Sequence, residues 1–342
     1  MQNGAGGVEV RNFGRFRLAP TNPTISVVVP VYSVDRRYEL MKLVESLLRE
    51  DEDDIELIIV IEVARTLVDA LEDRLCSAAM NARIVYSPGR LGISKARNLG
   101  VAYSSGEIVA FLDDDAFVCR GWKCALLNAF NDNPSIVGVT GRVLPMWQNP
   151  EDDWFPIAFY WMIGCSDWTG WHARRYVRIG WGVNMAFRRF VFSQYFFREG
   201  FSKGAGTSGK VGPVGDDTDF CLRVTQATHS WLLYDPQVQV LHFVYSYKLE
   251  PRSTRRYAFW QGYTESMFAS TDDGPTVRQT SRRQVVVDIV TDLVPDLVRK
   301  TLTSPRLNLR KLRLLFESSL FFALGYLSYH HTALLRWIEK SI

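Results

Sequence analysis

Ile108-Val109-Ala110-Phe111-Leu112-Asp113-Asp114-Asp115-Ala116 is an apolar run that stops abruptly in three carboxylates. Five consecutive apolar residues, β-branched and aromatic among them, predict a strand buried on both faces of a parallel sheet. Three adjacent anions repel one another and call for a counter-charge, which a divalent cation supplies. Hard cations such as Mg²⁺ or Mn²⁺ take carboxylate oxygens and often bridge to substrate phosphates. In open α/β sheets, ligands sit beyond the carboxyl ends of the strands, where these aspartates fall. A solvated Asp-rich turn capping the next helix is the alternative on this stretch alone.

Outward from this strand the pattern repeats. Ile25 to Tyr32 predicts a buried strand closed by Pro30, and Leu40, Leu43, Val44, Leu47 and Leu48 follow at helical spacing. Ile55 to Ile61 predicts a second strand, finishing at Glu62. Leu67 to Met80 predicts a helix, Arg83 to Tyr86 a short strand, and Ile93 to Tyr103 a helix bearing Lys95, Arg97 and Asn98. Strand and helix in alternation predict a doubly wound α/β sheet, mostly parallel.

Beyond Pro134 the pattern changes. Strands are expected at Ile136 to Val143, Val177 to Phe187 and Val238 to His242, with a helix from Phe220 to Thr228. Between the first two lies an aromatic segment with Trp147, Trp154, Phe155, Phe159, Tyr160, Trp161, Trp168 and Trp171. Such density is the composition of a core, and also of a platform that stacks on sugar faces. Gly200 to Gly215 predicts a mobile loop opening onto Asp216-Asp217-Thr218-Asp219. From Pro251 the chain turns helical and basic. Arg306, Arg310, Lys311 and Arg313 precede an apolar tail over Leu312 to Trp337, which Glu317 interrupts and which falls short of the about 20 residues of a membrane span. It suits a helix lying on an anionic membrane, and equally a packing helix or the contact of a homodimer.

The totals set bounds. Across 342 residues, 47% are hydrophobic and the formal net charge is +3. That balance argues against nucleic acid as a partner and against a high-salt cytoplasm. Five cysteines without metal-finger spacing predict a reduced, intracellular chain. The glycine-rich start, Met1 to Arg17, lacks an apolar signal segment and predicts a flexible arm. The expected domains are an arm over 1–22, a catalytic domain over 23–248 (nucleotide half 23–133, acceptor half 134–248), and a basic, aromatic helical extension over 249–342.

Three clusters end strands or open helices on one expected sheet edge: Asp113–Asp115, Asp216–Asp219 and His242. A metal could take Asp113, Asp115 and His242 together. Asp217 is then the spare carboxylate, placed to act as a general base, or else it caps the helix that follows.

In order, Val27 to Tyr32, Leu91 to Gly100 (with Ala96-Arg97-Asn98), Phe111 to Asp115, Gly182 to Arg188 and Gly215 to Asp219 resemble the motifs of family 2 glycosyltransferases with a GT-A fold. Phe155 to Cys165 and Arg256 to Tyr263 resemble segments of archaeal glucosyl-dolichyl-phosphate glucuronosyltransferases. The resemblance implies an inverting enzyme that uses a nucleotide sugar, expected to be UDP-linked, with a lipid-linked sugar as acceptor. It implies donor contacts at Pro30, Tyr32, Glu62, Arg90, Lys95, Arg97 and Asp114. Acceptor contacts would come from Trp181, Asn184 and Asp216, metal ligands from Asp113, Asp115 and His242, and the base from Asp217. It places the chain at the cytoplasmic face of the cell membrane. Two departures stand out: Glu62 where the family has aspartate, and Arg90 where it has asparagine. Arg90 suits a sugar carboxylate, with Lys95 and Arg97. Another donor and a cell-surface polysaccharide product are the nearest alternative, a non-catalytic carbohydrate-binding protein the next. A nucleotidyltransferase would want a glycine-rich, basic loop after the first strand, which Pro30-Val31-Tyr32-Ser33 does not supply.

Overall fold

A computed structural model describes residues 2–3, 8–13, 24–50, 54–62, 65–78, 81–201, 212–270, 291, 294–295 and 305–331. Ile25–Val31 (β3), Ile55–Glu62 (β4) and Ile108–Leu112 (β6) are buried at every position, as mostly apolar strands inside a two-sided sheet are. Ala82–Ser87 (β5) pairs parallel to β4, β4 to β3, and β3 to β6. These four strands are the parallel half that the sequence predicts.

Helices Arg37–Leu47 (α1), Arg65–Ala78 (α2) and Ile93–Ala102 (α3) connect them. Leu40, Leu43, Val44 and Leu47 of α1 are fully buried, each contributing about 1.5–3 kcal/mol of apolar burial. Helix α3 lies so close to the sheet that a Cβ at Gly100 would come 2.3 Å from Val28 Cγ1. Only glycine lets the two backbones approach this far.

The second half of the sheet runs antiparallel. Asn184–Arg188 (β10) pairs with β6 on one side and with Gly138–Trp147 (β8) on the other. Ala116–Val118 (β7) begins directly after the aspartates and pairs with Leu232–Val244 (β11), which also carries Arg175–Val177 (β9). With Gln2–Asn3 (β1) and Glu9–Phe13 (β2), the strand order is β1-β2-β5-β4-β3-β6-β10-β8-β11-β7. Trp122–Asp132 (α4) and Asp216–Ala227 (α5) complete this part.

Several sequence expectations need correction. Pro30 does not end sheet pairing: it sits opposite Val60, and β3 runs on to Val31. Its missing N–H is tolerated where pairing with β6 has already stopped at Val28–Phe111. The single strand expected over 177–187 is two short ones, β9 and β10. Between them Gly180 brings the backbone tight against Thr140, and Gly182 lies closer to Arg97 than a Cβ would allow. Strand β11 is far longer than Val238 to His242 because the chain passes through Asp235-Pro236 without leaving the sheet, the Gln237 N–H donating to Asp235 Oδ1 at 2.9 Å. Helix α5 starts at Asp216 rather than Phe220, with its aspartates in the first turn, where the helix dipole favours them. In the expected arm, β2 pairs antiparallel with β5, burying Val10 and Phe13. Residues 202–211 of the glycine-rich loop, 14–23 of the arm and 332–337 of the tail lie outside the described residues.

The chain divides into two compact units. One comprises Met1–Val143, Ala173–Gly209 and Asp216–His242, and the other Leu144–His172, Lys210–Gly215 and Phe243–Ile342. In the second, the aromatic segment forms 3₁₀ turns over Pro150–Trp154, Ile157–Ile163 and Asp167–Thr169. Phe155, Phe159 and Tyr160 are buried, so these rings are core; Trp154, Trp161, Trp168 and Trp171 stay half-exposed. Pro251–Ala269 (α6) and Pro305–Ser328 (α7) pack together in the same unit. They cross at glycines: a Cβ at Gly262 would meet Phe322 O at 2.0 Å, and one at Gly325 would meet Phe259 O at 1.9 Å.

Candidate functional site

The site grows from the end of β6. Asp113 is half-exposed, whereas Asp114 and Asp115 are buried. In the antiparallel ladder of β7 with β11, His242 stands opposite Ala116, the residue after Asp115. That register delivers His242 Nε2 to 3.1 Å from Asp115 Oδ1. Asp113, Asp115 and His242 thereby offer one ligand atom each within 4.8 Å of one another. Two carboxylate oxygens and one imidazole nitrogen suit Mn²⁺ or Mg²⁺ and leave coordination positions for other oxygens. The residues present therefore fit a divalent cation.

Two arginines compensate the carboxylates. Arg97, from α3, is buried and donates through Nη2 to Asp113 Oδ1 at 3.2 Å and through Nη1 to Asp216 Oδ2. Its guanidinium faces the Phe197 ring at 5.5 Å and occupies the space a side chain at Gly182 would need. Burial works against the charge on Arg97, but Asp216, Asp113 and Asp217 outweigh it and hold its pKa above the usual value. Burial pushes the Asp216 carboxyl up, against the pull of Arg97 and with the repulsion of Asp217. Arg36, the residue before α1, donates to Asp114 Oδ1 at 3.3 Å and to Asp115 Oδ2. It also reaches the Tyr32 hydroxyl at 2.7 Å.

Asp217 stands beside this pair, partly exposed in the first turn of α5. Its Oδ2 accepts from the Gly182 N–H at 2.9 Å and its Oδ1 from the Thr218 N–H at 2.7 Å. Asp219 is turned away, to Arg223 and Arg198. Asn98 fixes the other side of α3, exchanging two 2.9 Å hydrogen bonds with the backbone of Phe197. Phe197 stacks on Phe220 of α5 with ring centroids 4.1 Å apart, and meets Phe111 of β6 edge-on at 5.1 Å. This aromatic packing ties β6 to α5, which sets Asp113 and Asp217 on rigid elements.

The remaining expected residues fall in varied places. Asn184 is 1% exposed and fully engaged: its Oδ1 accepts from Trp122 Nε1 at 3.1 Å, and its Nδ2 donates to Val238 O at 2.7 Å. Asn184, expected at the acceptor, here clamps β10 to α4 and β11. Trp181 is half-exposed next to it, with its ring edge-on to Tyr234 at 6.0 Å. Asp216, expected at the acceptor, is buried on Arg97. Glu62 is buried and accepts from the N–H groups of Leu91 and Gly92 at 2.8 and 3.2 Å, so its carboxylate holds the loop before α3. Arg90 is exposed on that loop, and Lys95 pairs with Glu199 at 3.1 Å. Pro30 is buried in β3. Arg36 is the residue that sequence reading missed, because a basic residue at a helix start reads as surface. Its one signal was the need for a cation beside three consecutive aspartates.

A parallel sheet that continues antiparallel behind a carboxylate-rich edge defines the class of fold, and comparison with known proteins names the family. The chain belongs to glycosyl transferase family 2, whose pattern matches residues 26–196. It is 28% identical over 277 residues to the glucosyl-dolichyl phosphate glucuronosyltransferase of Haloferax volcanii, covering 80% of this chain and 87% of that protein. It is 29% identical over 141 residues to the pre-mycofactocin glycosyltransferase of Mycobacterium tuberculosis, covering 41% of this chain and 27% of that protein. Among solved structures, the mannosyltransferase PcManGT from Pyrobaculum calidifontis, in complex with GDP-Man and Mn²⁺, superposes with a TM-score of 0.52. That match covers 87% of this chain and 86% of the other at 15% identity, a likeness of fold. The protein is thus a glycosyltransferase of GT-A architecture with a helical carboxy-terminal part.

Proposed function

We propose that this protein is an inverting, divalent-cation-dependent glycosyltransferase that moves glucuronate from a UDP-linked donor to a dolichyl-phosphate-linked sugar, in the assembly of a glycan for protein glycosylation. The observation that carries the reading is the meeting of Asp113, Asp115 and His242 at one sheet edge, with Asp217 beside them on α5. The choice of donor and acceptor rests on the Haloferax relative. When bound, the cation would neutralise the charge that develops on the leaving diphosphate, usually the largest contribution to such catalysis.

The chain's own groups do the rest. Asp217 takes the proton of the acceptor hydroxyl as that oxygen attacks the anomeric carbon opposite the diphosphate. The glycosidic bond forms as the bond to the diphosphate breaks, so the configuration inverts. The N–H groups of Gly182 and Thr218 fix the Asp217 carboxylate. Arg97 sets the distance between the donor edge at Asp113 and the helix that carries Asp217. In this reading residues 23–133 bind the donor, 134–248 the acceptor, and 249–342 meet the cytoplasmic face of the membrane.

Helix α7 supports that last assignment. Leu309, Leu312, Phe316, Leu320 and Leu327 follow one another at helical spacing and are all exposed, Leu309 and Phe316 at 68%. Its packed side carries Asn308, Leu314, Ser318, Gly325 and Ser328, with Phe321 and Leu324 against Phe259 and Trp260. Arg306, Arg310 and Arg313 are exposed in its first turns. An outward apolar row with basic flanks fits a helix lying in an anionic lipid surface. Among the described residues no helix is long and apolar enough to cross a membrane.

The test is a panel of nucleotide sugars assayed against dolichyl-phosphate-linked glucose, with and without EDTA. UDP-glucuronate should be the preferred donor, and EDTA should abolish transfer. Transfer from a different nucleotide sugar would redirect the specificity to another cell-surface glycan. EDTA-resistant transfer would remove the cation.

A further inference from the structure

Arg36 belongs to none of the motifs by which the family is read, yet it lies at the centre of the charged cluster. Its side chain is only 10% exposed. Ser33 precedes it and caps the short turn Val34–Arg36, the Asp35 N–H donating to Ser33 Oγ at 3.2 Å. The guanidinium spans Asp114, Asp115 and the Tyr32 hydroxyl, and its Cζ lies 5.4 Å from the centre of the Tyr32 ring. Asp115 consequently has both oxygens committed: Oδ2 to Arg36 and Oδ1 to His242 Nε2.

Buried carboxylates need a compensating charge, and a guanidinium keeps its charge at every working pH. Asp115 is also one of the three residues that fit a divalent cation. Arg36 and such a cation therefore draw on the same carboxylate, and two positive charges a few ångströms apart in a water-poor site repel strongly.

We propose that Arg36 is the built-in counter-charge of this site. It compensates the negative charge of Asp114 and Asp115 and holds both carboxylates in place before a cation arrives, and its hold on Asp115 gives way when one binds. The inference rests on the divalent-cation reading above and adds a device to it: cation uptake is an exchange, with an internal arginine leaving as Mn²⁺ enters. Arg36 is in this sense a positioning residue, acting through Asp115. A purely structural salt bridge would have the opposite signature, since its loss would disorder Asp115 and weaken cation binding.

The experiment titrates the full chain with Mn²⁺ alone and reads free Mn²⁺ by electron paramagnetic resonance. It compares the wild type, Arg36→Met, Arg36→Lys and Asp115→Asn. Removing a competing unit charge at this range should tighten Mn²⁺ binding by about tenfold in Arg36→Met. Lysine, with one ammonium unable to span all three partners, should fall between that variant and the wild type. Asp115→Asn should lose most of the binding. A folded Arg36→Met, judged by its thermal melt and near-ultraviolet circular dichroism, that binds Mn²⁺ no more tightly than the wild type overturns the proposal. Should Arg36→Met fail to fold, Arg36→Lys decides, and equal or weaker binding overturns it. The cation reading is judged separately: it fails if the wild type takes up no Mn²⁺ or if Asp115→Asn leaves uptake unchanged.

Discussion

His242 Nε2 lies 3.1 Å from Asp115 Oδ1, although the two residues stand more than a hundred positions apart in the chain. The β7–β11 ladder makes this contact, and its register admits no slip. A shift of one residue would turn the imidazole to the opposite face of the sheet. His242→Ala should therefore weaken Mn²⁺ binding by roughly 100-fold or more, beyond the 10–100-fold typical of losing a group one shell further out. The same titration measures it, and retained affinity would take His242 out of the ligand set.

Asp217→Asn keeps the shape of the side chain and removes the proton acceptor. Transfer should fall by about 10²–10⁴-fold, while UDP still binds in an isothermal titration. An amide at this position that turns over at the wild-type rate would move the base elsewhere.

Gly182 has two tasks: its N–H holds Asp217, and its lack of a side chain makes room for Arg97. A methyl group there would sit 2.4 Å from Arg97 Nη2. The guanidinium is held by carboxylates on two sides, so it cannot swing away without breaking an ion pair. Gly182→Ala should cost about 1–3 kcal/mol of stability, as overpacking does, with a lower Tm and a disproportionate loss of transfer. An unchanged melting curve would show that the cluster has slack.

For the membrane contact proposed for α7, flotation with vesicles containing anionic lipid should carry the intact chain upward. A variant with Leu309, Phe316 and Leu320 all changed to Ser should stay behind, and neutral vesicles should bind less than anionic ones. These side chains are exposed, so the variant should melt like the wild type. Equal flotation of both chains would leave the row to another partner, such as a second copy, which sedimentation would then show.

Cys165 and Cys221 are buried, whereas Cys76 and Cys124 are exposed. Burial pushes the Cys221 thiol well above the usual range, and the nearby Asp217 charge adds to that. A raised thiol pKa means less thiolate, hence slower alkylation, at every pH below it. In the native protein iodoacetamide should label Cys76 and Cys124 within minutes and spare Cys221 even at pH 9, as read by peptide mass spectrometry. Rapid labelling of Cys221 would mean that the start of α5 opens readily.

The parallel half of the sheet was legible because its signal is local: a strand buried on both faces is a mostly apolar run, as β3, β4 and β6 are. Asp113, Asp115 and His242 could be nominated together since each ends or follows such a run. What stayed hidden depends on partners distant in the chain. Nothing near Asn184 reveals that its amide closes a fork between α4 and β11. Arg36 looks like any basic residue opening an amphipathic helix. Pro236 reads as a strand breaker, yet pairing with β9 before it and β7 after it carries β11 through. Glu62, expected at the donor, holds two backbone N–H groups that the sequence cannot place.

The antiparallel return of β11 has a consequence for how the protein is made. Until His242 has left the ribosome, a growing chain can already pair β3, β4 and β6, since their contacts are closer in sequence. It would then carry the three aspartates between β6 and a β7 that still lacks its partner strand. Long-range pairing of this kind is slow and leaves edges exposed meanwhile. The like charges at Asp113–Asp115 would keep two such nascent edges from joining each other. The residues read as machinery of the finished enzyme would, in the unfinished one, guard against aggregation.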